Sequence, residues 1–259
     1  MTSSSVGIVV PTLGEREEYL RLSLKSIREA GSAYISVVAP ESFRTNQVLI
    51  DFSVDQFVVD PGTGLVNAIN KAIHELPIEI SYVNWLGDDD QLAPNSIEIS
   101  KAQLETNPGM LFSYGQCKYI NETGSVVGVN KSGNWASKII FFGPDLIPQP
   151  GALIRKSALA KIGSLDNSFT HAFDMDMFMK LLKIGKGIYI NQWVASFRWH
   201  SGSLSVNTRK KSVTEASRIR RNNLPAGFRI VAILWEIPLS IIVFAAGHLV
   251  NMKSRRIKK

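Results

Sequence analysis

Ile80-Ser81-Tyr82-Val83-Asn84-Trp85-Leu86 runs straight into Gly87-Asp88-Asp89-Asp90. The apolar part reads as a buried strand, and the glycine and aspartates as the turn that leaves it. Three adjacent carboxylates repel one another, and an apolar strand beside them lowers the local dielectric and sharpens that repulsion. A divalent cation relieves it. Mg²⁺ and Mn²⁺ prefer carboxylate oxygens and often bridge to a substrate phosphate. Open α/β sheets bind ligands just outside the C-terminal ends of their strands, where this triplet falls. A solvated acidic turn capping the helix expected from Pro94 accounts for the same residues.

Upstream, a strand over 6–10 leads through Pro11-Thr12-Leu13-Gly14 into a helix over 15–30, with Leu20, Leu24 and Ile27 on one face. Strands are expected over 34–39 and 56–59. The second leads through Asp60-Pro61-Gly62-Thr63-Gly64 into a helix over 65–74. A helix over 94–107 follows the acidic turn. Strands alternating with helices define βαβ units, so the fold class is α/β with a mostly parallel sheet. The pattern then changes. Strands over 110–120 and 125–129 are joined by Asn121-Glu122-Thr123-Gly124, and 139–150 is irregular and rich in Pro and Gly. Helices over 157–162 and 174–184 and a strand over 188–198 complete this part.

With 259 residues and 45% hydrophobic residues, the chain can bury one large core and carry an appendage. The lone Cys117 excludes an intramolecular disulfide and a cysteine-based zinc site, which fits a reducing compartment. The N-terminus has no basic stretch, and 6–10 is too short for a signal segment, so a cytoplasmic location is expected. Charge is uneven. Residues 1–205 hold 17 Lys/Arg against 20 Asp/Glu, a net of −3, whereas 206–259 hold 12 against 2, a net of +10. The division expected is therefore a domain over 1–205 and a basic, apolar helical tail over 206–259, the tail facing an anionic partner.

Several motifs line up in order: Val9-Val10-Pro11-Thr12-Leu13, Gly64-Leu65-Val66-Asn67-Ala68-Ile69-Asn70, Leu86-Gly87-Asp88-Asp89-Asp90-Gln91-Leu92-Ala93-Pro94, Gln149-Pro150-Gly151-Ala152, Phe173-Asp174-Met175-Asp176 and Phe197-Arg198-Trp199-His200. The series, over roughly residues 5–205, resembles the family 2 glycosyltransferases, inverting enzymes with the Rossmann-like GT-A fold. The resemblance implies that Pro11, Thr12 and Leu13, with Glu15 beside them, contact the nucleotide of a nucleotide-sugar donor. It implies that Asp60, Gly64, Asn67 and Asn70 wall the nucleotide pocket, and that Asp88 lies near the ribose. It implies that Asp89, with Asp90 beside it, holds a divalent metal (Mg²⁺ or Mn²⁺) on the donor diphosphate, and that His200 reaches that metal or diphosphate. Asp174 matches the general base.

Two departures stand out. Ser36-Val37-Val38-Ala39-Pro40 offers no carboxylate to read the base, and Phe173 stands where the family usually has Glu. Read without the resemblance, Asp174 caps the helix that follows, Asp176 is the alternative base, Asn67 and Asn70 bond local backbone, and His200 is a surface histidine. A nucleotidyltransferase shares the α/β sheet and carboxylate–metal site, but leaves Asp174 and His200 without roles. A non-catalytic nucleotide-sugar binding protein is the alternative from another class.

Residues 228–250 are mostly apolar and long enough to span a bilayer. Glu236 and Pro238 in the middle, and basic clusters at both ends, oppose a span. At helical periodicity Arg229, Glu236, Ser240, Gly247 and Asn251 form one stripe and leave a broad apolar face. That pattern suits a helix lying in the interface of an anionic membrane, reached through residues 218–259, and equally a helix packed on protein. The partners expected are a nucleotide-sugar donor, a saccharide or lipid-linked saccharide acceptor and the inner membrane face. Nucleic acid is not expected.

Overall fold

The computed structural model describes residues 4–200, 209–224 and 226–256. Among these, nine strands form one sheet: β1 (Val6–Pro11), β2 (Tyr34–Ala39), β3 (Gln56–Val59), β4 (Tyr82–Trp85), β5 (Gln91–Leu92), β6 (Met110–Ile120), β7 (Val126–Asn130), β8 (Leu153–Arg155) and β9 (Lys186–Arg198). Their order is β3-β2-β1-β4-β8-β6-β9-β5, with β7 on β6. The run β3-β2-β1-β4 is parallel throughout, and so is β6 with β9. β8, β5 and β7 join antiparallel. The helices are α1 (Glu17–Ala30), α2 (Gln47–Asp51), α3 (Leu65–His74), α4 (Ser96–Thr106), α5 (Ala136–Ile139), α6 (Lys156–Lys161), α7 (Phe173–Ile184), α8 (Arg209–Asn223), α9 (Ala226–Val231) and α10 (Ile233–Arg256). This is an α/β fold of the Rossmann-like GT-A kind.

Strand side chains alternate between two cores, which is why the central strands are apolar throughout. Ile8 and Val10 of β1 and Ile35 and Val37 of β2 pack with Leu20, Leu24 and Ile27 of α1 and Ile97 and Leu104 of α4. Val9, Val38, Val83 and Trp85 point the other way, onto Ile69 and Ile73 of α3 and Phe178 and Leu181 of α7. Each of Leu20, Leu24 and Ile27 contributes about 1.5–3 kcal/mol by leaving water. Leu24→Ala would cost about 2–5 kcal/mol. Acidic Glu17 and Glu18 open α1 and Arg28 closes it, matching the helix dipole.

The acidic turn is held from both sides. β4 delivers Leu86, whose N–H donates to Val9 O at 2.9 Å. Just beyond the triplet, β5 pairs with β9 through Gln91 and Ser196. Gly87 leaves room for the aspartates, since a Cβ there would stand 2.9 Å from Asp89 Oδ1 and 3.2 Å from Asp90 Oδ2 and push their carboxylates aside.

The expected elements are present with small shifts. The fourth strand shortens to Tyr82–Trp85, and α1 begins at Glu17 because Arg16 turns its side chain toward the acidic turn instead of entering the helix. α2, α5, β5 and β8 were not expected.

The tail departs from its reading in two ways. It is not one helix over 228–250, because the chain breaks at Ala232 between α9 and α10. The polar stripe does not face water at its centre. Glu236 is 3% exposed and bound to Arg221 of α8, and Ser240 Oγ donates to Glu236 O at 2.7 Å. The side chains of Gly247 and Asn251, and residues Lys258 and Lys259, lie outside the described residues. Ile219 of α8 is buried in the larger core. Among the described residues no helix is long and apolar enough to cross a membrane.

Candidate active site

A cavity of about 1080 Å³ opens at the C-terminal ends of β1 and β4. Pro11, Thr12, Leu13, Glu15, Asp60, Gly64, Asp88, Asp89, Asp90 and Asp174 all line it. Residues far apart in sequence therefore share one space, each delivered by the end of a strand or the start of a helix.

The acidic turn is a network, not a bare cluster. Asp88 Oδ2 accepts from Thr12 Oγ1 at 2.7 Å, and Asp88 Oδ1 takes Arg16 Nη2 at 2.7 Å. Asp89 Oδ2 takes Arg16 Nη1 at 3.0 Å and lies 2.6 Å from His200 Nε2. Burial pushes the Asp88 carboxyl up, and its bond from Thr12 and the charge of Arg16 only partly offset this. Asp89 is buried too, but its bond with His200 and the charge of Arg16 outweigh burial and hold it below the usual range. Asp90 turns away from the other two. Its Oδ1 accepts the Arg198 N–H at 2.8 Å, and burial, reinforced by the charge on Asp89, pushes it well above the usual range.

Arg198 is the strut of this region. Its Nε donates to Asp89 O at 2.9 Å and its Nη1 to Asn121 O at 3.0 Å, and its guanidinium stacks on Tyr19 at 4.5 Å. These bonds fix the main chain at Asp89, and β9 then carries on to His200. Behind the turn, Gln149 Nε2 donates to Asn84 Oδ1 at 3.0 Å and to Trp85 O at 2.7 Å, tying the loop after α5 to β4.

Among the described residues no three His, Cys, Asp or Glu side chains converge to hold a metal ion by themselves. Asp89 and His200 do converge, and Asp90 does not join them. The pair suits a cation that shares its ligands with substrate. Asp89 Oδ2 and His200 Nε2 stand 2.6 Å apart. Neighbouring ligands of an octahedral Mg²⁺ or Mn²⁺, with bonds of about 2.1 Å, stand roughly 3 Å apart. Such ions are commonly held by one or two protein ligands with phosphate oxygens and water completing the shell.

Asp174 lies in the first turn of α7, where its Oδ1 accepts the Met175 N–H at 2.9 Å. Burial raises its pKa to about 6, against an ordinary 3.8. Asp145, from the irregular loop, lines the same cavity, and burial together with the charge of Asp174 pushes it well above the usual range. The approach to α7 is pinned by the tail. Glu215 of α8 accepts the backbone N–H groups of Thr170, His171 and Ala172 at 3.1, 2.8 and 3.0 Å. Asp176 faces elsewhere, buried and paired with Lys180 at 2.7 Å.

Asn67 and Asn70 do not reach the cavity. Asn70 Nδ2 donates to Leu165 O at 2.8 Å and its Oδ1 accepts from Leu165 N at 3.0 Å. Asn67 bonds Thr63 O and Asn167. Both fasten backbone. Arg16, Asp145, Gln149 and Arg198 take part without a role that the sequence motifs assign. Arg198 had a signal, being a charge inside an otherwise strand-like run. So did Arg16, a cation just ahead of a helix whose first turn is acidic.

No protein-family model and no curated protein matches the sequence. Solved structures do match in fold. They include S. aureus TarS 1–349, with a TM-score of 0.62 and 14% identity over 86% of this chain and 68% of that one. The complex of the same fragment with UDP-GlcNAc gives a TM-score of 0.63 and 14% identity, over 86% and 69%. TarS itself gives 0.62 and 13% identity, over 88% of this chain and 42% of that one. At such identity the likeness is one of fold alone.

Proposed function

We propose that the chain is an inverting glycosyltransferase of the family 2 kind. It moves a sugar from a nucleoside-diphosphate sugar to a hydroxyl of a saccharide or lipid-linked saccharide. The observation that carries this reading is the single cavity joining the acidic turn after β4 to Asp174 at the start of α7. Its volume is in the range of sites for ligands of nucleotide-sugar size. The similar fold of TarS, solved with UDP-GlcNAc and with UDP, supports a nucleotide-sugar donor.

In this reading Pro11, Leu13 and Asp60 receive the nucleoside, and Asp88, held by Thr12, meets the ribose. Asp89 and His200 would hold a divalent metal, which when bound neutralises charge on the departing diphosphate. The acceptor hydroxyl oxygen bonds to the anomeric carbon from the face opposite the diphosphate. The bond from that carbon to the diphosphate oxygen breaks, its electron pair leaving with the diphosphate. The hydroxyl proton passes to Asp174, whose raised pKa suits it to accept a proton near neutrality. Attack opposite the leaving group inverts the anomeric configuration.

The tail supports attachment to an anionic inner membrane face. Leu234, Ile237, Ile241 and Ile242 are exposed on α10, Leu234 at 74% and Ile241 at 64%. Arg229 and Lys253 are exposed toward the two ends of this stretch. Polysaccharide assembly at the membrane is the setting this favours. The deciding experiment is a thermal-shift screen of nucleoside diphosphates with and without Mn²⁺, followed by transfer assays. A Mn²⁺-dependent rise in melting temperature with one diphosphate is expected, and no rise with any of them would overturn the reading.

A further inference from the structure

Residues 131–146 form a loop with a closed base. Asn130 Nδ2 donates to Leu146 O at 3.1 Å, and Ser132 Oγ donates to the same carbonyl. Tyr114 Oη donates to Gly133 O at 3.2 Å. Within the loop the chain turns helically. The Ile139 N–H donates to Trp135 O at 3.1 Å, that of Ile140 to Ala136 O at 3.2 Å and that of Gly143 to Ile139 O at 2.6 Å. Helical spacing then sorts the side chains. Ala136 and Ile140 are fully buried in the larger core and anchor the turn. Trp135, Lys138 and Phe142 share the outer side, Trp135 51% and Phe142 54% exposed.

One exposed aromatic is ordinary on a protein surface. Here two stand on an anchored turn, and they continue a second apolar surface. The Phe142 ring lies 6.3 Å from that of Trp235 on α10. On either side of Trp235, α10 exposes Leu234 and Ile237, and Ile241 one turn further on. Arg220 of α8, whose counter-ion is Glu236 of α10, donates its Nη1 to Gly143 O at 3.2 Å and so ties the loop to both helices.

The charges around this surface have one sign. Residues 131–144 contain Lys131 and Lys138 and no Asp or Glu, and both lysines are exposed. Arg229 and Lys253 are exposed toward the ends of the α10 face. Apolar side chains fringed by cations match a partner that is apolar within and anionic at its boundary, which is a bilayer with anionic headgroups. Tryptophan, with an apolar body and a polar N–H, suits the headgroup level. A second copy of the same face would instead bring these cations against one another.

We propose that the 131–146 loop is a second membrane-contact element, inserting Trp135 and Phe142 beside α10 while Lys131 and Lys138 meet anionic headgroups. This rests on the membrane attachment read from the tail and deepens it. A single helix lying on a bilayer leaves the domain free to roll about the helix axis, and a contact beside the helix stops that roll. Residues 144–150, which continue the loop, line the cavity. The two contacts together therefore hold the cavity in one orientation to the bilayer.

The test is cosedimentation of the full-length protein with vesicles of equimolar phosphatidylcholine and phosphatidylserine in high salt, where the apolar part of the attraction remains. Trp135→Ser with Phe142→Ser should weaken partition by about tenfold or more while UDP affinity and melting temperature hold. Ile50→Ser with Ile78→Ser, at exposed sites outside the loop and the tail, should leave partition unchanged. Brominated lipid should quench the tryptophan fluorescence of the native protein more than that of Trp135→Phe. Equal partition of the native protein and the Trp135/Phe142 variant overturns the proposal. A lipid-free dimer that this variant dissociates gives the face to a second copy, and also overturns it. If the variant does not fold, the quenching decides, since equal quenching of the native protein and Trp135→Phe refutes insertion. Failure of the native protein to bind vesicles at all would sink the membrane reading of the tail, so the two failures are distinguishable.

Discussion

Replacing Asp174 by Asn should stabilise the protein while abolishing transfer. The native pKa of about 6 lies above the ordinary 3.8, because burial disfavours the charged carboxylate. Below pH 3.8 the group is protonated in both the folded and unfolded chains and costs nothing. Between there and about 6 the unfolded chain ionises and the folded one resists, so stability falls as pH rises. Above 6 the full cost is present. The shift corresponds to at most about 3 kcal/mol, and because Asp174 is only half-buried, about 1–2 kcal/mol is the expected size. For a chain of this length that is a rise of roughly 2–8 °C in melting temperature at pH 7. The advantage of the variant should vanish near pH 4. Under the proposed function, initial transfer rates should climb as pH rises through about 6, as Asp174 becomes ionised. Paired melts and rate profiles across pH 4–8 make the comparison. A destabilised variant at pH 7, or a native rate indifferent to pH between 5 and 7, would refute the reasoning.

Asp89→Asn should lose Mn²⁺-dependent UDP binding with the fold intact, read by titration with and without EDTA, because Asp89 and His200, 2.6 Å apart, are the pair proposed to hold the metal. Glu215→Ala frees three backbone N–H groups ahead of Asp174, so it should cost about 1–3 kcal/mol in urea unfolding and lower kcat more than it raises KM for the donor. Arg198→Ala should cost about 2–4 kcal/mol, since its guanidinium holds Asp89 O and the Asn121 turn together in a buried position. Ile237→Ser with Ile241→Ser should cut binding to anionic liposomes at least about tenfold in high salt, because each exposed side chain contributes roughly 1.5–3 kcal/mol on burial. Sedimentation with liposomes reads that loss, and unchanged partition would remove α10 from the interface.

The N-terminal half was legible because β1, β2 and β4 are buried on both faces and α1 and α3 each carry one apolar stripe. Leu20, Leu24 and Ile27, or Val66, Ile69 and Ile73, can be read without tertiary knowledge. The elements that escaped are short and depend on partners. β5 is two residues that exist through pairing with β9, and β8 is three residues wedged between β4 and β6. The acidic turn and Asp174 could be picked out by type and order. Asp145 could not, since nothing in a Pro- and Gly-rich loop says which carboxylate it will approach. The tail was misjudged at its centre for a similar reason. A helix shows its polar stripe in sequence, but whether Glu236 meets water or Arg221 depends on where α8 lies. Truncation before Arg218 would accordingly open the cavity wall, and not merely release a membrane anchor.

The guanidinium that links Asp88 to Asp89 gives the free protein an internal counter-ion. Without it two carboxylates in a half-desolvated turn would repel each other, and the turn would depend on a cation from solution to keep its shape. With it, the turn is already formed when no ligand is bound. A divalent ion taken up at Asp89, as proposed above, would compete with an arginine that is tethered and so present at high local concentration, which works against binding of the ion alone. A nucleoside diphosphate changes that balance, because its phosphate oxygens can receive the displaced guanidinium as they receive the ion. Metal and donor should therefore enter as one unit. Under the proposed function, the resting protein would be indifferent to chelators and to swings in free Mg²⁺, and would answer to the supply of charged donor.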